Sequence, residues 1–156
     1  VVPFVVFLLL CVYFYGPGVA SEPSVVDTVV YEFESGEDSL TEWELFTLAL
    51  IGVESTFDST ALSDKDARGF LQLTSVWVDE VNRLCGTSYR YEDAWRTESA
   101  VELYELMQDH KNPGRDLETA IRLHNPRAGR WYARRIYREM EKVRAYEKVR
   151  KILIER

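Results

Sequence analysis

One run constrains this chain more than any other. Residues 41–55 read TEWELFTLALIGVES, and Trp43, Phe46, Ala49, Leu50 and Val53 fall at three- and four-residue spacing. That period places them on one face of a helix reaching about Ser55. Two overlapping capping boxes, Ser39-x-x-Glu42 and Thr41-x-x-Glu44, mark its start. The run then meets a carboxylate, Glu54, and a polar, glycine-punctuated stretch, STFDSTALSDKDARG. A glutamate there either lies on the solvated side of an amphipathic helix or does chemistry, and Glu54 alone leaves both open.

Helix signals dominate the rest. Residues 57–68 carry Asp, Ser, Thr and Lys and read as a loop. Ser75 is placed to cap a helix with Val76, Val78, Val81 and Leu84, ended by Gly86. Thr97 opens another with Val101, Tyr104 and Met107, ended by Asn112-Pro113-Gly114. Asp116 caps a shorter one with Leu117, Ala120, Ile121 and His124, stopped by Pro126. From about Arg130 a long amphipathic helix sets Ile136, Met140, Val143, Val149 and Leu153 on one stripe. The expected class is mainly α. At 156 residues and 46% hydrophobic content, the chain suits one globular domain with its own core.

Residues 1–20 have a different character. They hold no charge, run almost wholly apolar to Tyr15, and end in a Gly-Pro-Gly break with Gly18 and Ala20 three and one places before Ser21. That is the form of an export signal cleaved after Ala20; the rival is an anchor that is never cut. Residues 21–38 read as a linker with one short β-like run, residues 39–140 as the working domain, and residues 141–156 as a basic helical extension. Exported, the chain is expected in the periplasm or outside the cell. Cys85 is then its sole cysteine, so no internal disulfide and no cysteine metal site is expected.

The net charge of −7 conceals an asymmetry. Residues 127–156 hold 11 Lys and Arg against 4 Asp and Glu, a balance of +7, leaving −14 for the first 126 residues. An acidic body argues against a nucleic-acid partner. The basic end is a candidate for contact with anionic lipid, cell-wall polymer or an envelope protein, although a charge run is usually a solvated face.

Few residues are equipped for catalysis. The two histidines, His110 and His124, form no metal-binding pair, and no phosphate loop or nucleophile elbow occurs. Glu54 remains. Ile51, Val53 and Phe57 are expected to desolvate it partly, which favours a protonated carboxyl and suits a general acid in glycoside cleavage.

The surrounding pattern gives that reading its content. Glu54-Ser55-x-Phe57, Ala61-x-Ser63 and Ala67-x-Gly69-Phe70-Leu71-Gln72-Leu73, with nine residues from Glu54 to Ser63 and nine more to Gln72, resemble the signature of the soluble lytic transglycosylases of bacterial cell walls. A second segment, AIRLHNPRAGRWYARRI, resembles that family's A-Y-N-x-G element, with Asn125 at the asparagine. The likeness spans roughly residues 41–140. It implies a lysozyme-like α fold with a groove for the glycan strand, and no cofactor or metal. Glu54 would be the single acid and base, cleaving between N-acetylmuramic acid and N-acetylglucosamine with formation of a 1,6-anhydro ring. Ser63, Gln72, Thr74, His124, Asn125 and Tyr132 would bind substrate or line the groove. The chain departs from the pattern at Thr74-Ser75, where an apolar residue and proline are usual, and at His124, where the family has an acid-orienting tyrosine. It departs again at Gly129, displaced from its place after the asparagine by Pro126-Arg127-Ala128. Gly69 suits either close passage of a sugar or a positive φ. A hydrolytic muramidase of goose-lysozyme type would share the fold and the acid. A non-catalytic wall-binding or assembly protein would keep the groove alone.

Overall fold

In the computed structural model, residues 39–154 are described, with side chains to Leu153. The expected export signal (1–20), the linker (21–38) and the last two residues of the basic extension lie outside them. Ser39 onward forms one compact unit. It is mainly helical: α1 (Glu42–Ser55), α2 (Ser75–Cys85), a 3-10 turn (Tyr91–Trp95), α3 (Thr97–Lys111), α4 (Leu117–His124) and α5 (Arg130–Ile154).

The ends of these helices follow from side-chain chemistry. Of the two capping boxes, Thr41 with Glu44 forms: Thr41 Oγ1 accepts from the Glu44 amide at 3.2 Å, and Glu44 Oε2 accepts from the Thr41 amide at 2.6 Å. Such a cap contributes about 1 kcal/mol. The cap of α2 is Thr74, not Ser75: its Oγ1 accepts from the Trp77 amide, and Ser75 is already the first helical residue. Thr74 holds the extended backbone, φ −99° and ψ 162°, that an N-cap needs. Gly86 ends α2 in the left-handed conformation, and Asp116 caps α4.

The core is built from the inner faces of all five helices. Phe46, Ala49, Leu50 and Val53 of α1 are buried, with Trp77, Val78 and Val81 of α2, and Leu103, Tyr104 and Met107 of α3. Ala120 and Ile121 of α4 join them, as do Tyr132, Ile136 and Met140 of α5. Each Leu, Ile, Phe or Met fully buried here contributes about 1.5–3 kcal/mol. α5 makes its principal packing on α1.

Two apolar stripes run differently from the expected ones. Val76 is exposed and Trp77 takes the inward place. On α5 the stripe stops after Val143: Val149 and Leu153 are exposed, because six residues are one and two-thirds turns and carry Val149 off the inward face. Glu147 and Arg150 continue that face instead, paired at 3.4 Å.

Between α1 and α2, residues 56–74 make a tight irregular layer. Antiparallel bridges pair Leu62 with Arg68 and Arg68 with Leu73. Gly69 has φ +70°, and a Cβ there would stand 2.2 Å from the Ala94 carbonyl oxygen of the 3-10 turn. Its close neighbour is thus the protein's own backbone. Arg68 lies 3.7 Å above the Tyr91 ring, and the Tyr91 hydroxyl donates to the Asp66 carbonyl, so the layer is bolted to that turn.

Candidate functional site

Glu54 sits in the last turn of α1, its side chain 17% exposed. A carboxylate gains nothing from the dipole at a helix C-terminus, and the last turn of α1 carries no basic residue. Helix stability therefore does not explain its position. The turn after it does hold it firmly. Thr56 and Phe57 both adopt positive φ, 55° and 63°. This reversal folds the Phe57 ring back over α1, where a Cβ on Gly52 would stand 3.2 Å from ring atom Cε2. Gly52, costly inside a helix, leaves the notch that the ring fills.

Two side chains from far along the chain converge on one oxygen of Glu54. The Tyr132 hydroxyl, from the first turn of α5, donates to Oε1. Nε2 of His124, at the end of α4, stands 3.6 Å from the same atom, a charge–dipole contact rather than a hydrogen bond. Burial, followed by the Glu54 charge, pushes the Tyr132 hydroxyl well above its ordinary pKa, so it stays protonated and remains a donor. Burial pushes His124 below its ordinary value, opposed by the attraction of Glu54, and the imidazole is neutral at pH 7. We assign its proton to Nε2, since the other tautomer would aim a lone pair at the carboxylate oxygen. Both contacts thus fall on Oε1 rather than Oε2.

His124 is packed between aromatic rings. Trp77 meets it edge-on at 5.6 Å and Tyr104 at 6.1 Å. Its Nδ1 and the Tyr104 hydroxyl are buried without a hydrogen-bond partner among the described residues. Neither Trp77 nor Tyr104 was a site candidate from sequence. The signal was present, however, since Trp77, Val81 and Leu84 keep the helical period better than a stripe begun at Val76.

The other candidates are engaged locally. Ser63 Oγ accepts from the Ala67 amide at 3.0 Å and the Lys65 amide at 3.3 Å. Gln72, at φ +48°, donates Nε2 to the Ala61 and Gly69 carbonyls at 2.9 and 3.0 Å. Thr74 caps α2. Asn125 terminates α4, its amide bonded to Ile121 and its carbonyl accepting from the Ala128 amide. The fold thus joins Glu54, His124 and Tyr132, while Ser63 and Gln72 shape the layer between α1 and α2. Asp58, Asp64 and Asp66 of that layer are exposed. Among the described residues, no group of three or more His, Cys, Asp or Glu is placed to hold a metal ion, and no helix is long and apolar enough to cross a membrane.

Comparison with protein-family models, with curated proteins and with solved structures finds no match to this chain.

Proposed function

We propose that this chain is a peptidoglycan lytic transglycosylase of lysozyme-like fold, exported to the periplasm or beyond, with Glu54 as its single acid and base. The observation that carries the reading is the convergence of Tyr132 and His124 on Glu54 Oε1, which leaves Oε2 as the reactive oxygen. The motif likeness from Glu54 to Gln72 supplies the substrate class. Tyr132 does the acid-orienting work that the resemblance assigns to a tyrosine before Asn125, and His124 stands in that tyrosine's own place.

The chemistry needs one carboxyl. Protonated Glu54 gives its proton from Oε2 to the glycosidic oxygen as the bond from muramoyl C1 breaks, freeing the N-acetylglucosamine hydroxyl. The substrate's acetamido oxygen stabilises the cationic C1. The resulting Glu54 carboxylate takes the proton of the muramoyl O6 hydroxyl, and O6 closes on C1 to form the 1,6-anhydro ring. The glutamate ends as it began, protonated, and no water is consumed.

Glu54→Gln removes the proton while nearly preserving shape, and is expected to lower murein cleavage by at least a hundredfold. Mass analysis of the wild-type products should show anhydro ends. Reducing ends alone would replace the transglycosylase by a muramidase, and equal clearing by wild type and variant would leave only a binding protein.

A further inference from the structure

The tryptophans of this domain are not used alike. Trp77 is buried, stacks on Tyr104 at 5.9 Å and donates Nε1 to the Leu103 carbonyl at 3.2 Å. Trp43 is half-buried and donates Nε1 to Glu105 at 3.0 Å. Trp95 is half-buried beside the Arg68 guanidinium. Trp131 differs, being 63% exposed.

Its exposure is organised. The ring meets Tyr132 edge-on, centroids 5.9 Å apart at 76°. One edge rests over Gly129, where a Cβ would stand 3.2 Å from Trp131 Cδ1 and 3.6 Å from Nε1. A side chain at 129 would require the indole to give by a few tenths of an ångström. Tyr132 is the side chain whose hydroxyl holds Glu54, so an exposed, seated indole stands one ring from the candidate acid. The face of an indole is electron-rich and apolar, and it complements the polarised C–H groups on one side of a sugar ring.

The geometry points to Trp131 as a stacking platform for one N-acetylhexosamine ring of the bound strand, adjacent to the bond that Glu54 protonates. This rests on the glycosidase reading of Glu54. Glycan binding alone reports on the platform, so the test is made without turnover.

In the full chain carrying Glu54→Gln, binding of a soluble N-acetylglucosamine oligomer is measured by calorimetry and by tryptophan emission. Adding Trp131→Ala is expected to weaken binding about tenfold, the scale of losing one stacking aromatic. Trp131→Phe should keep most of the affinity yet lose the emission change that saccharide causes in the parent. Thermal melting should be unaltered by either change. Unchanged affinity in the Trp131→Ala protein overturns the platform and leaves the role of Glu54 untouched. Failure of the parent to bind the oligomer overturns it too. Absence of murein cleavage by wild type overturns the glycosidase reading by itself.

Discussion

At the residue scale, Tyr132 and His124 act on the same oxygen of Glu54, and burial favours the neutral form of each. Burial keeps a proton on Tyr132 and off His124. The imidazole therefore orients the carboxyl as a neutral dipole. It also sets a cost on acid conditions. Since the folded pKa of His124 lies below its ordinary 6.5, an unfolded chain takes up a proton below pH 6.5 that the native site refuses. Stability from this group is fully present above pH 6.5 and is lost as pH falls below it. His124→Phe keeps an aromatic ring against Trp77 and Tyr104 and removes the titration. Its melting temperature should fall less steeply than that of wild type between pH 6.5 and 5, measured by thermal denaturation across that range; equal slopes would refute the buried neutral imidazole. Glu54, His124 and Tyr132 were all legible in the sequence as candidates. Which of them touches the acid was not, because residues 54, 124 and 132 meet only when α5 lies on α1.

At the element scale, helical spacing and capping chemistry located all five helices, since both act over four residues or fewer. The 3-10 turn Tyr91–Trp95 escaped because five residues carry too little period to read. Residues 57–68 read as a loop, and the irregular layer extends over residues 56–74. Gly69, Ser63 and Gln72, which the motif likeness puts at a groove, make contacts that hold the layer to itself and to the 3-10 turn. Gly69→Ala tests this directly. The left-handed φ and the overlap with the Ala94 carbonyl should together destabilise the fold by about 2–5 kcal/mol, read as a fall in the urea midpoint. A variant within experimental error of wild type would mean the layer is free to move off the turn.

At the scale of the whole molecule, the acid and its partners come from opposite ends of the domain. α1 brings Glu54, α4 brings His124, and α5 brings Tyr132 along with Ile136 and Met140 of the core. Folding and site assembly are thus one event. A chain ending at Asn125 strips α1 of its principal helical neighbour and should show no cooperative urea transition by circular dichroism. Removing residues 151–156, whose Ile152 and Leu153 are exposed, should change stability by no more than about 0.5 kcal/mol and, under the proposed function, spare murein cleavage. A sharp transition in the first truncation, or lost activity in the second, would contradict this division of labour.

The sequence by itself determined the helical class, the helix positions to within a residue or so of their caps and the place of Glu54 at the end of α1, all of which depend on neighbours within a turn or two. The tertiary structure alone decided that Tyr132 binds the acid, that His124 is sealed among aromatic rings and that Gly69 answers to Ala94. Those outcomes depend on how helices pack, and packing brings together residues whose separation along the chain carries no local signal.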